Sequence, residues 1–290
     1  VITIAKNKKQ DVMQGNKIRE SIRQGRRVYG IHISHAGSAY YAQKTLGLDV
    51  DFVFLDTEHV PVDRSDLHAL CATYASHGAS PAVRILHPDI HLATAALDAG
   101  AQGIVVPYIE TVEEIAETAG VARFRPFKGQ RLRNVVAGVE QLNEETERYL
   151  LHYNANNYFL IGIESVPAIE NLDALLNVAG VDGVFIGPHD LSLSLELPEQ
   201  YQHPRFVEAV LSIIERARRA GLGAGMHVKA DTAPPPQLAQ YIDAGLNWIL
   251  YSHDVSIMVE AANQQLNQMR ILHGDTFNSH FSPRDSSPEI

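Results

Sequence analysis

The chain has 290 residues, 45% hydrophobic and 20% charged, which suits one α/β barrel of about 250 residues with a large core. Its formal net charge of −10 argues against a nucleic-acid backbone or an anionic membrane as main partner, and leaves room for a small anionic substrate held by local cations. The single cysteine, Cys71, leaves no intrachain disulfide, and no apolar run approaches the roughly 20 residues that span a bilayer.

The segment from Val1 to Gly25 is expected to form a helix that closes a barrel bottom or packs on a neighbour. Its start, VITIAKNKKQ, places lysines after a short apolar stretch, the reverse of a secretory signal, so the expected location is the cytoplasm. Eight short apolar runs then read as strands: Val28–Ile33, Asp51–Leu55, Pro81–Ile85, Gly103–Val106, Tyr158–Ile163, Gly183–Ile186, Gly223–His227 and Trp248–Tyr251. They lack clear alternation, as expected of parallel strands covered on both faces. Cys71 falls in an apolar helical stretch and reads as a small buried hydrophobe.

Amphipathic segments such as Val207–Ala220 and Pro235–Ala244 lie between the strands, and several end in glycine: Gly100, Gly180, Gly221 and Gly245. Glycine just past a helix closes the last turn in the left-handed conformation. Eight β-loop-α units predict a closed (β/α)8 TIM barrel. A doubly wound open sheet is the alternative, without the G-x-G-x-x-G that would support it. The long connection after Val106 predicts a helix over Thr111–Ala122, a loop over the barrel mouth carrying the basic cluster Arg123 to Asn134, and a helix over Leu142–Asn154. A C-terminal helix covers Met258–Leu272. Residues 1–272 are read as a single barrel domain and 273–290 as an extended or disordered tail.

Active sites of such barrels lie at the C-terminal ends of the strands. There the sequence offers Asp56, Glu58 and His59 after strand 2, Arg84 after strand 3 and Glu164 after strand 5. Strand 6 adds Gly187, Pro188, His189 and Asp190, strand 7 adds His227, and strand 8 adds Ser252, His253 and Asp254. Glu164 and Asp190 fall on adjacent strands, where two desolvated anions repel unless a dication lies between them. Oxygen ligation suits Mg²⁺ or Mn²⁺. The alternative is that either carboxylate caps a helix or pairs with an arginine. Arg84 is a fixed cation that can hold an anion or a developing oxyanion, or simply bridge to Asp56. His59 has the ordinary pKa range of a general base, although a lone histidine is more often merely packed or solvated. Asp98 could orient His59 if the fold brings them together. The single lysine beside a predicted strand end is Lys229.

The motifs Asp49–His59 (DVDFVFLDTEH), Pro81–Ile85 (PAVRI), Ala96–Pro107 (ALDAGAQGIVVP), Ile163–Glu164 and Gly180–Ser192 (GVDGVFIGPHDLS) resemble those of the HpcH/HpaI class II pyruvate aldolases, from about Gly30 to about Met258. The resemblance implies a carbon–carbon lyase, an aldehyde-lyase cleaving a 4-hydroxy-2-oxo acid to pyruvate and an aldehyde. It implies a divalent ion (Mg²⁺, Mn²⁺ or Co²⁺) on Glu164 and Asp190, and no organic cofactor. Arg84 then binds the keto or enolate oxygen, and His59 is the base, oriented by Asp98. Asp56 belongs to the catalytic strand 2 motif, and Glu58 contacts metal-bound water. The backbone of Gly187, Pro188, His189 and Asp190 receives the carboxylate. Family members form trimers through swapped C-terminal helices, often paired as hexamers, so a homo-oligomer is expected, with no nucleic-acid or membrane partner.

The sequence departs from the family at Gly162, usually a larger residue, and at His189, usually alanine. The Gly129-Gln-Arg131 segment keeps the family pattern only loosely. His32, His35, His87, His227 and His253 near strand ends read mostly as solvated histidines that together reshape the acceptor pocket. Rival readings are another lyase of the superfamily, acting on an acyl-CoA or on oxaloacetate, and a non-catalytic barrel that binds a 2-oxo acid.

Overall fold

A computed structural model describes residues 14–34 and 39–275. The expected tail from 276 onward, residues 1–13 and His35 lie outside the described residues. In chain order the elements are α1 (Gly15–Arg23), β1 (Val28–Ile33), α2 (Ala39–Lys44), β2 (Phe52–Asp56), α3 (Arg64–Ser76), β3 (Ser80–Arg84), α4 (Ile90–Asp98), β4 (Gly103–Val106), α5 (Val112–Phe124), α6 (Gly129–Val136) and α7 (Glu144–Tyr153). There follow β5 (Tyr158–Gly162), α8 (Val166–Glu170), α9 (Leu172–Leu176), β6 (Gly183–Ile186), α10 (Pro188–Ser194), α11 (Pro204–Arg219), β7 (Gly223–Val228), α12 (Pro235–Ala244), β8 (Trp248–His253) and α13 (Asp254–His273). The eight strands pair in parallel, each with its sequence neighbours, and β8 pairs with β1 to close the barrel. The expected (β/α)8 fold is therefore the observed one.

Side chains alternate between the two faces of each strand. Phe52 and Phe54 on β2, Ala82 on β3, Val105 on β4, Tyr158 and Leu160 on β5, Phe185 on β6, and Trp248 and Leu250 on β8 fill the barrel interior. The intervening residues, such as Val53, Leu55, Val83, Ile104 and Ile161, pack outward against the helices in the larger core, where Cys71 is fully buried as expected. Bulky rings need small neighbours inside the barrel: a Cβ on Gly30 would lie 2.2 Å from the Phe52 ring, and one on Gly103 would lie 2.3 Å from the Tyr158 ring. The expected glycine stops hold, with φ of 105° at Gly100, 102° at Gly180, 76° at Gly221 and 113° at Gly245.

The N-terminal end of the barrel is closed by α1, whose Ile18 and Ile22 are fully buried in the interior cluster. Beside it lies a buried ion network. Asp182, with no exposed surface, accepts from Arg23, Arg123 and the Phe159 backbone N–H. Truncating it leaves the largely buried Arg123 and the Phe159 N–H without their acceptor, so Asp182→Ala should lower unfolding stability by about 3 kcal/mol. Urea unfolding checks this.

The basic cluster corrects the expectation of a loop over the mouth. Helix α5 runs down from the C-terminal ends of the strands and carries its arginines to the opposite end. The cluster then continues as α6, where Leu132 and Val136 face the bare backbone of Gly120. Its arginines meet carboxylates: Arg123 with Asp182, Arg125 with Asp98, Arg131 with Glu140 and Arg133 with Glu117. At the other end of the chain, α13 is longer than predicted and buries only Asp254, leaving Met258, Val259, Leu266, Met269, Ile271 and Leu272 exposed. Among the described residues no helix is long and apolar enough to cross a membrane.

Candidate active site

The same two-residue period that fills the barrel with rings supplies its polar mouth. One step above Phe54 on the inner face comes Asp56, and one step above Ala82 comes Arg84. Two steps above Leu160 comes Glu164, past Gly162, and above Phe185 comes Gly187. The uppermost inward layer is thus ionisable where the layers below are apolar.

Arg84 donates from Nε to Asp56 Oδ1 at 2.9 Å and from Nη2 to Asp56 Oδ2 at 2.5 Å, with Glu58 Oε2 3.2 Å from Nε. The Arg–Asp bridge allowed by the sequence is real, and it orients the guanidinium. Burial alone would raise the pKa of Asp56, but the hydrogen bonds and charge of Arg84 outweigh it and hold the carboxyl below its ordinary range. The Glu58 N–H also donates to Asp56 Oδ1, at 2.9 Å. Asp56 therefore positions Arg84 and the turn that follows β2.

Glu164 is 2% exposed, and its Oε1 has no hydrogen-bond partner. Burial pushes its pKa up to about 8. The charge of Arg84 opposes that shift, and Asp190 and Glu58 add to it. The influence of Asp190 on Glu164 shows that the two carboxylates share one field. Asp190 itself is half-buried in the first turn of α10. Asp56, Glu58 and Glu164 all act on Arg84, Asp190 acts on Glu58 and Glu164, and the one guanidinium, already paired with Asp56, does not offset the burial of Glu164. An orphaned buried oxygen inside an anionic cluster fits a hard dication. Glu164 and Asp190 would hold it.

Two glycines make room for Glu164. A Cβ on Gly187 would lie 2.8 Å from its carboxylate, and one on Gly162 would lie 2.9 Å from its Oε1 and from the Tyr108 N–H. The departure at Gly162 thus has a local reason: the acid folds back over that backbone. Tyr108 itself adopts a left-handed φ of 49°, and its N–H favours the charged form of Glu164. Gly187 was expected as part of the carboxylate-receiving backbone but not as room for Glu164, and Tyr108 carried no signal in the sequence. Gly187→Ala should displace the carboxylate and weaken Mn²⁺ binding about 10–100-fold with little loss of fold. Calorimetric titration reads this out.

The other expected site residues divide. His59 is exposed on the turn after β2, with Nε2 3.6 Å from Glu58 Oε2. Asp98 does not approach it within the chain. It ends α4 and meets Arg125 at 3.2 Å, at the end of the barrel away from the mouth. The His189 side chain turns outward to Glu199, 3.8 Å away, so only its backbone faces the strand ends. Asp254 accepts from Ser34 and Tyr41 and ties β1 and α2 to α13. His87 is exposed.

Three of the rim histidines are not scattered. His32, His227 and His253 converge inside the mouth, with ring centroids 4.4–5.8 Å apart. Burial pushes the His32 pKa down to about 3 and that of His227 well below the usual histidine range. The signal was present as parity: His32 follows Gly30 on the inward face of β1.

The family model of the HpcH/HpaI aldolase/citrate lyase family matches residues 30–248. The chain is 32% identical over 259 residues to a 2-keto-3-deoxy-L-rhamnonate aldolase of Salmonella gallinarum, covering 88% of this chain and 94% of that protein. An Escherichia coli protein of the same name is 30% identical over 257 residues, with the same coverage. Among solved structures, an HpcH/HpaI aldolase/citrate lyase family protein from Burkholderia cenocepacia superposes with a TM-score of 0.74 at 26% identity, over 88% of this chain and 99% of that one. An HpcH/HpaI aldolase from Desulfitobacterium hafniense gives 0.73 at 24% identity, over 87% and 96%. With the match running from Gly30 in β1 to Trp248 at the start of β8, the chain belongs to the HpcH/HpaI aldolase/citrate lyase family and is a carbon–carbon lyase.

Proposed function

We propose that this protein is a metal-dependent aldolase that reversibly cleaves a 4-hydroxy-2-oxo acid to pyruvate, or a close 2-oxo acid, and an aldehyde. The observation that carries the reading is the buried Glu164, whose Oε1 has no hydrogen-bond partner, beside Asp190 and Arg84. Glu164 and Asp190 would hold a divalent ion, which would supply Lewis acidity to the bound 2-oxo acid. The backbone of Gly187, Pro188, His189 and Asp190 faces that carboxylate; Pro188 has no N–H, so the donors are the other three. Arg84, locked by Asp56, presents fixed positive charge to the oxygen that becomes an enolate when C3–C4 breaks. His59 takes the 4-hydroxyl proton. Its exposed place on the rim suits a group that meets the substrate's variable end, and Glu58 stabilises the imidazolium that forms. The proton returns to C3 of the enolate, giving the 2-oxo acid.

The names of the relatives favour a sugar-derived acid with a hydroxylated aldehyde product. The test is an aldehyde panel with pyruvate and Mg²⁺, Mn²⁺ or Co²⁺, read by product formation. Hydroxylated short aldehydes should react fastest, and each reaction should stop on chelation. Borohydride trapping of pyruvate on Lys229 would instead show Schiff-base chemistry and overturn the reading. The exposed apolar side chains of α13 support assembly with further copies of the chain. Light scattering of the full chain should give a trimer or hexamer, and M258E together with M269E should shift it toward the monomer.

A further inference from the structure

We propose that His32, His227 and His253 form a second metal site, a three-imidazole face for a transition-metal dication of the zinc class. The three come from β1, β7 and β8, which are neighbours in the closed barrel, and their ligating nitrogens lie within 4.8 Å of one another. A tetrahedral ion at roughly 2.0–2.1 Å from each nitrogen needs them about 3.4 Å apart, a gap that small ring rotations close. Among the described residues no other group of three histidines, cysteines or acids comes together in this way.

Two further observations mark the cluster as built. His32 is 5% exposed, and neither of its ring nitrogens has a hydrogen-bond partner; the Nε2 of His227 is likewise buried without one. A buried polar atom left in this state is costly, and native proteins rarely tolerate one without a bound species. The second is the break in strand pairing at the same place. The register between β1 and β8 runs Ile31 to Tyr251 and then His32 to His253, skipping Ser252. Ser252 takes a left-handed φ of 43°, unfavourable for a residue with a side chain. Without this bulge, the alternation that turns Leu250 inward would turn Ser252 inward and His253 outward. The bulge resets the phase and sets His253 against His32, with 4.4 Å between ring centroids.

The chemistry differs from that of Glu164 and Asp190. Imidazole nitrogens select borderline ions such as Zn²⁺, Co²⁺ or Ni²⁺, whereas the carboxylate pair selects Mg²⁺ or Mn²⁺. Asp56 Oδ2 lies 3.9 Å from His32 Nε2 and supplies an outer-shell anion. Three protein ligands on one side leave the ion a free position toward the mouth, where an oxygen-rich acceptor can bind. The inference does not depend on the reading of Glu164 and Asp190.

The test is a titration of untagged, chelator-stripped full-length protein with Co²⁺ and with Zn²⁺. Two ions should bind per chain, one of them giving the intense visible Co²⁺ spectrum of a nitrogen-ligated, low-coordinate site. H227Q and H253Q should each lose that spectrum and one equivalent, with affinity for it down at least about 100-fold. E164Q should lose the other equivalent and keep the spectrum. Circular dichroism checks folding, and either histidine variant alone suffices if the other fails to fold. Absence of the nitrogen-ligated spectrum, a spectrum that survives in the folded histidine variant, or its loss in E164Q would overturn the proposal; one ion per chain that keeps the spectrum would instead count against the Glu164 and Asp190 reading alone.

Discussion

Replacing Glu164 with glutamine should abolish tight Mg²⁺ or Mn²⁺ binding and slow aldol cleavage by about three orders of magnitude, because Lewis-acid stabilisation of the enolate is worth several kcal/mol and each 1.36 kcal/mol is a factor of ten. The amide has the shape of the acid, so the close packing against Gly162 and Gly187 survives and the fold with it. The substitution also has a signature in stability. Burial holds the native Glu164 carboxyl protonated up to about pH 8, whereas an exposed glutamate releases its proton near 4.5. Between these values the metal-free native state binds the extra proton. Stability from this group is therefore fully present below about 4.5 and is lost as pH rises through about 8. Thermal unfolding of metal-free protein should show a midpoint that falls across that window in the wild type and much less in Glu164→Gln. Mn²⁺ should restore the wild-type midpoint alone. A variant with the wild-type pH slope would contradict the burial of this acid as the cause.

Arg84 gives the second large effect, and it divides by substitution. Arg84→Lys keeps a positive charge but loses the two-point fork on Asp56, so the charge no longer sits where the enolate forms. Cleavage should fall about 10²–10³-fold with modest change in stability. Arg84→Ala leaves Asp56, 1% exposed, as an unpaired buried anion and should destabilise the fold by about 3–5 kcal/mol. Steady-state kinetics and urea unfolding of the two variants separate the roles. Equal stability loss in both would mean that Arg84 serves the barrel rather than the reaction.

The barrel was legible because its signals are local. The ends of β1, β4 and β6 coincide with apolar runs, and glycines after α4, α11 and α12 stop those helices where the chain must return to the sheet. Differences of one or two residues at β2, β3 and β8 arise where a polar residue still bonds in register, as Asp56 does beside Arg84. The positions of Asp56, Arg84, Glu164 and Asp190 followed from the rule that strand ends face the mouth. What stayed hidden depends on direction and depth. The Arg123–Asn134 cluster looked like a roof because its charge was visible, whereas the descent of α5 that carries it away from the mouth was not. Asp98 was linked to His59 by resemblance, and within the chain α4 holds it beside Arg125. The histidine cluster needed a shift of phase at Ser252 that no residue type announces.

Exchange of pyruvate methyl protons with solvent deuterium, followed by NMR with the full-length protein, tests the proposed chemistry most directly. It requires enolate formation and no knowledge of the natural aldehyde. Exchange should be rapid with Mn²⁺ or Mg²⁺, stop on chelation, and fall to background in Glu164→Ala. Exchange at an undiminished rate after chelation, or in Glu164→Ala, would contradict a metal-held enolate at Glu164 and Asp190.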